Sequence, residues 1–147
     1  MNLLLDTNVI IDFLGRKPPF FADAAEIIAA GYFGDVTLWA PAQSFKDAFY
    51  VLENYVDSER VQDAMLSLAQ VVNPVDLTSD DVITAAKLKW RDYEDCLVAL
   101  CANKIRADYL ITRDCKSFRN SLAPTLSPAG WLAEMRKQGR LTFDAIK

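Results

Sequence analysis

Short aliphatic runs that stop abruptly, separated by longer amphipathic stretches, recur along this chain and leave few folds open to it. Leu3-Leu4-Leu5 is cut off by Asp6. Val36-Thr37-Leu38-Trp39-Ala40 ends at Pro41, Val71-Val72-Asn73-Pro74-Val75 is broken by its own proline, and Tyr109-Leu110-Ile111-Thr112 is the clearest strand of the four. A few aliphatic residues without polar alternation suit a strand buried on both faces, and strands alternating with helices pack as parallel sheets. The expectation is an α/β domain with a central parallel sheet, and Pro74 puts its strand near an edge.

The segments between these runs read as helices. Val9 to Leu14 forms a short one ended by Gly15, and Phe20 to Ala30 forms another closed by Gly31. Pro41 can open a helix carrying Phe45, Ala48, Phe49 and Leu52 at helical spacing, and Ser58 can cap one carrying Val61, Met65 and Leu68. Ser79-Asp80-Asp81 suits a helix start. Leu97, Leu100, Cys101 and Ile105 mark the buried stripe of the next helix, and Ser127-Pro128 opens the last through Trp131, Leu132 and Met135. No repeat or linker divides the chain, so residues 1–138 are read as one domain and residues 139–147 as a tail or partner-binding arm.

With 147 residues, about half of them apolar (52%), the chain can bury a real core. No run approaches the ~20 apolar residues of a membrane span. Met1 to Leu5 carries no basic segment and Asp6 comes too early for a secretion signal, so a cytoplasmic location is expected. Cys96, Cys101 and Cys115 form a poor disulfide framework and are read as small buried or half-buried apolar residues.

Histidine is absent. That excludes a Ser-His-Asp triad, a Cys-His pair, an HExxH zinc site and a histidine-pair ribonuclease. Hydrolytic chemistry would have to rest on carboxylates, lysine, tyrosine, hydroxyls or a bound cation. The net charge of −4 gives no general attraction to nucleic acid, so any such contact needs a local basic patch or a metal.

Most of the 20 acids are expected on solvated helix faces. Four are placed differently. Asp6 follows the first strand, and Asp114 lies two residues beyond the Tyr109–Thr112 strand. Asp95 starts the helix before that strand, and Asp47 lies in the first turns of the helix after the second. Ligands of open parallel sheets bind at the carboxyl edge, and all four acids are compatible with that rim. Two like charges ~4 Å apart repel by ~4 kcal/mol at an effective dielectric near 20. A cluster of four would cost much of the ~5–15 kcal/mol by which a domain is stable. Protonation or a cation must relieve it, and hard oxygen donors without histidine favour Mg²⁺ or Mn²⁺. Metal-assisted phosphodiester hydrolysis is the chemistry that follows.

Three stretches carry a resemblance to a known family: Leu5-Asp6-Thr7-Asn8-Val9-Ile10-Ile11-Asp12; Ser44-Phe45-Lys46-Asp47-Ala48; and Asp92-Tyr93-Glu94-Asp95-Cys96-Leu97-Val98-Ala99 followed by Ala107-Asp108-Tyr109-Leu110-Ile111-Thr112-Arg113-Asp114. In order and spacing, from residue 3 to about residue 135, the chain resembles the PIN-domain ribonucleases, and within them the bacterial toxin-like branch of VapC type. The resemblance implies a three-layer α/β/α sandwich and a Mg²⁺- or Mn²⁺-dependent endoribonuclease, a hydrolase of single-stranded or structured RNA. It matches Asp6, Asp95 and Asp114 to the family's metal-binding acids, and Asp47 to a position where glutamate, one methylene longer, is common. Asn8 and Thr112 match polar positions that steady the acids or a bound water; a helix cap for Asn8 and a strand-end hydroxyl for Thr112 fit as well. Arg113 suits either a phosphate contact or a solvated surface, Asp92 and Glu94 are close enough to contribute, and Asp12 does not face Asp6 and is left out.

The same resemblance implies a toxin neutralised by a small antitoxin laid over the acidic rim, with a basic side chain near Asp95 and Asp114, and a homodimer. Phe20, Phe21, Tyr32, Phe33, Phe49, Tyr50 and Tyr55 are the aromatic candidates for such contacts, about one in three of them expected at the surface. Two other readings stand beside it. One is a catalytically weakened PIN-fold domain that binds RNA or protein without cutting, favoured by Asp47 and the acidic net charge. The other is a receiver-like phosphotransfer domain, which would need a mid-chain strand ending in aspartate and a late one ending in lysine.

Overall fold

The computed structural model describes residues 1–146. Its sheet comprises β1 (Asn2–Leu5), β2 (Thr37–Pro41), β3 (Val72–Val75), β4 (Tyr109–Ile111) and β5 (Thr125–Leu126). The strand order is β3-β2-β1-β4-β5 and every pairing is parallel. Seven α-helices flank it among the described residues: α1 (Thr7–Leu14), α2 (Phe21–Tyr32), α3 (Ala42–Leu52), α4 (Ser58–Leu68), α5 (Ser79–Leu88), α6 (Tyr93–Lys104) and α7 (Pro128–Lys137). Short 3₁₀ turns occupy Cys115–Phe118 and Thr142–Ile146.

The three layers follow from the leucines of β1. Leu3 and Leu5 point into one core with Val9, Ile10, Ile27, Ala48, Leu68 and Trp131. Leu4 points the other way, among Val98, Cys101, Ala102, Leu110 and Phe118. Successive strand residues alternate faces, so a run apolar on both parities must be covered on both sides. All three leucines are fully buried, each gaining about 1.5–3 kcal/mol relative to exposure. Helices α1, α2, α3, α4 and α7 contribute to the first core, α6 builds the second, and α5 packs on α6 through Ala85, Cys96 and Leu97. The α/β/α sandwich with a central parallel sheet is the observed fold, and β3 with Pro74 is an edge strand.

Several boundaries differ from the sequence reading, each for a local reason. Helix α1 begins at Thr7 because Asp6 caps it, and Asn8 is therefore not the cap. Gly31 does not stop α2, which runs on to Tyr32. A β-carbon at Gly31 would meet Leu38 Cδ1 at 2.5 Å, so this glycine allows helix and strand to approach; the reversal comes at Gly34, with φ +81°. Asp57, not Ser58, occupies the cap position of α4, and Thr78 caps α5 in a reciprocal box with Asp81. The two-residue β5 gave no readable run.

All three cysteines are free, with Cys96 and Cys101 buried and Cys115 half-buried. Beyond Gly139, Leu141 and Phe143 pack into the first core, and Thr142 bonds to Asp35 through both its backbone N–H and its hydroxyl. Lys147, the last residue of the segment read as a tail, lies outside the described residues. No helix among the described residues is long and apolar enough to cross a membrane.

Candidate functional site: an acidic rim at the carboxyl edge

Strand order reverses direction between β1 and β4, and that switch point lies where the candidate acids fall. Parallel register sets Leu5 beside Ile111, and the Asp6 backbone N–H donates to the Ile111 carbonyl at 2.9 Å. Asp6 and Thr112 thus leave the sheet side by side, although 106 residues separate them.

Asp6 is the anchor. The residue is buried, 7% exposed. One carboxylate oxygen accepts the Thr7 N–H at 2.7 Å, and the other accepts the Thr112 hydroxyl at 2.8 Å and the Asn8 amide at 3.3 Å. Burial holds the Asp6 carboxyl above the usual carboxylate range; the bonds from Thr112 and Thr7 oppose that, and the negative charges of Asp114 and Asp92 add to it.

Thr112 and Asn8 tie the anchor to the loop that carries Asp114. The Thr112 oxygen accepts the Asp114 N–H at 3.0 Å, and Asn8 reaches that hydroxyl at 3.3 Å while accepting the Arg113 N–H at 3.4 Å. Asp114 is exposed, and its carboxylate accepts the Ser117 hydroxyl at 2.6 Å. Both polar residues therefore touch the acids or their backbone.

The third side is the start of α6. Asp92 caps this helix by accepting the Asp95 N–H at 3.1 Å. The Asp95 carboxyl is pushed up to about 6, first by partial burial and then by the negative charges of Asp92, Asp6, Asp114 and Glu94. Asp6, Asp95, Asp114 and Asp92 thus share one electrostatic neighbourhood, assembled from both ends of the sequence.

Asp47 stands apart from them. It is half-buried on α3 and pairs with Lys46 at 3.0 Å, and it is not among the charges that raise Asp6 or Asp95. The same helix is tied to the rim by a different residue: Ser44, fully buried, shares a 2.7 Å hydroxyl bond with Thr7. Ser44 and Thr7 were not singled out from the sequence, where a serine in an apolar helix carries no signal of its own.

Arg113 is partly exposed, but its charge is already engaged. Its guanidinium pairs with Asp12 at 2.6 Å and lies 4.0 Å from the centre of the Phe20 ring. Of the seven aromatic candidates, Phe20, Tyr32, Phe33, Tyr50 and Tyr55 are exposed, a larger share than expected, while Phe21 and Phe49 are half-buried.

The donor chemistry of the rim is hard oxygen throughout, with no imidazole, which fits Mg²⁺ or Mn²⁺. Among the described residues, however, no three His, Cys, Asp or Glu side chains stand together as a ready-made cage. The rim fits an ion that keeps several waters and takes one or two protein carboxylates, as Mg²⁺ usually does.

A family model described as a PIN domain matches residues 2–116. Solved structures with the same fold include VapBC2 from Rickettsia felis bound to a promoter DNA fragment, with a TM-score of 0.64 at 16% identity over 86% of this chain and 98% of that one. VapBC-1 from nontypeable Haemophilus influenzae gives 0.65 at 20% identity, covering 88% and 99%. FitAcB from Neisseria gonorrhoeae gives 0.61 at 20% identity, covering 86% and 98%. No individually curated protein matches the sequence at a significant level. The family match removes the receiver-like alternative.

Proposed function

Because this chain belongs to the PIN-domain family, we propose that it is a Mg²⁺- or Mn²⁺-dependent endoribonuclease acting as the toxin of a toxin–antitoxin pair. The observation that carries the reading is the convergence of Asp6, Asp92, Asp95 and Asp114 at the switch point. The charges of Asp92 and Asp114 raise the proton affinity of both Asp6 and Asp95, and a divalent cation relieves that cost.

The chain's own residues divide the work. Asp6, held by Thr7, Asn8 and Thr112, is the fixed carboxylate; Asp95 and Asp114 are the adaptable ones. Asp95, whose carboxyl is pushed up to about 6 when no ion balances its neighbours, is the acid that gains most from a bound cation and would help to orient an attacking water. Ser117 holds one oxygen of Asp114 and so sets its direction. When bound, a divalent cation supplies positive charge for the phosphate oxygens in the transition state.

The test is cleavage of a mixed RNA pool in Mn²⁺, with Asp6→Asn as control. Cleavage by the native protein alone supports the reading, and its absence from both sinks it. The Lys46–Asp47 pair favours the weakened, RNA- or protein-binding alternative, in which RNA is retained without being cut.

A small antitoxin is the proposed partner. The solved relatives are VapBC and FitAB assemblies, and an apolar groove of about 400 Å³ lined by Phe13, Leu14, Phe21, Ile28 and Leu68 suits an apolar partner segment. The partner would set a basic side chain against Asp95 and Asp114, so charge reversal at those acids should abolish binding. Exposed Val82, Ile83 and Leu88 on α5 offer a second copy an apolar face, which supports a homodimer readable as a doubled mass in solution.

A further inference from the structure

Beside the acidic rim lies a cleft of about 490 Å³ whose walls differ in charge. One wall carries Asp92 and Asp95. The other surfaces carry Arg91 from the segment joining α5 to α6, and Lys116 and Arg119 from the 3₁₀ turn beyond Asp114 and the residue after it. All three cations are exposed, and none has an ion-pair partner among the described residues, the neighbouring Asp92 and Asp95 included. Acids and cations thus share a cleft without neutralising one another.

A phosphodiester accompanied by a divalent cation complements both walls at once. The chain carries net charge −4, so affinity for a polyanion has to come from such a local patch. Trp90 also lines this cleft. It is half-buried and braced against Phe118, with ring centres 6.5 Å apart at 66°, so its plane is fixed. A fixed indole at the edge of a cationic groove is a stacking platform for an unpaired base. Bases in a duplex are already stacked and cannot use it.

We propose that Arg91, Lys116 and Arg119 form the backbone-binding wall of a single-stranded RNA channel leading to the acidic rim, with one base stacked on Trp90. The proposal rests on the nuclease reading and deepens it by naming the residues that hold the strand and the side from which it enters.

The test compares native protein with the triple variant Arg91→Ala/Lys116→Ala/Arg119→Ala and with Trp90→Leu. Binding of a fluorescent single-stranded RNA and of the same sequence as a duplex is followed by anisotropy in Ca²⁺ over a range of salt. Each lost contact to a single strand should flatten the plot of log affinity against log salt by about 0.7, so the triple variant should lose about 2 from the slope and at least tenfold in affinity. Trp90→Leu should cost roughly fivefold or more on the single strand and little on the duplex. The triple variant changes only exposed side chains, and an unchanged far-UV spectrum and Mn²⁺ thermal shift establish that it is folded. An unchanged salt slope and affinity in that variant overturns the channel, and a preference for the duplex overturns its single-stranded character. Native protein that binds the single strand through these residues yet never cuts would retire the nuclease reading and leave the channel standing.

Discussion

The Asp12 carboxylate and the Arg113 guanidinium meet at 2.6 Å across 101 residues of sequence, through two nitrogens and two oxygens. The Asp12 side chain is only 2% exposed and that of Arg113 30%. Arg113 sits between Thr112, which bonds to Asp6, and Asp114, and its far side is covered by Phe20. The pair therefore pins the loop that carries Asp114 to helix α1.

Breaking that pair should be asymmetric. Arg113→Met leaves a buried carboxylate without a partner and should cost about 3–5 kcal/mol. Asp12→Asn leaves a partly exposed guanidinium that water can reach, and should cost about 1–3 kcal/mol. Urea denaturation of both variants measures this; equal costs would mean that the carboxylate is not desolvated.

Thr112→Val keeps shape and volume but removes the hydroxyl that donates to Asp6 and accepts from the Asp114 N–H. The expected cost is about 1–3 kcal/mol, because a buried carboxylate and a backbone donor both lose a partner. The Asp6 carboxyl should rise further, so the acid limb of any activity profile should move to higher pH. Differential denaturation and a pH–rate profile read the two effects separately.

Stability without metal should fall as pH rises from about 4 to about 6. Asp95 has an ordinary value of 3.8 and is pushed up to about 6 in the folded chain, so between those values the folded state binds more protons than the unfolded one. Its contribution is therefore most favourable in acid, declines through this window and is level above it. Asp95→Asn should flatten this part of the curve and leave the variant more stable than the native chain at pH 7 in EDTA. Denaturation midpoints at pH 4.5 and 7 decide it.

Mn²⁺ should stabilise the native protein and so raise its melting temperature; the stabilisation grows with the ratio of free ion to Kd and reaches about 2.7 kcal/mol at a hundredfold excess. Asp6→Asn and Asp95→Asn should each lose most of this shift, and Asp47→Asn, whose carboxylate is held by Lys46, should lose little. A large loss at Asp47 would show that its carboxylate leaves Lys46 for the ion.

Much of this protein is written locally in its sequence. Three leucines cut off by an acid can only be a short strand covered on both sides, because side-chain alternation and burial are settled within a few residues, and the same holds for the Ser127-Pro128 start of α7. The acids at strand ends were legible for that reason. The partnerships between them were not. Asp6 meets Thr112 because β1 lies beside β4 in one particular register, Asp12 meets Arg113 because α1 packs beside the same loop, and position 31 takes a glycine inside its helix because Leu38 leaves no room for a side chain. Periodicity is a property of neighbours along the chain, whereas convergence is decided by which strands pair and how closely layers pack, and both pairings at the rim join residues more than a hundred positions apart.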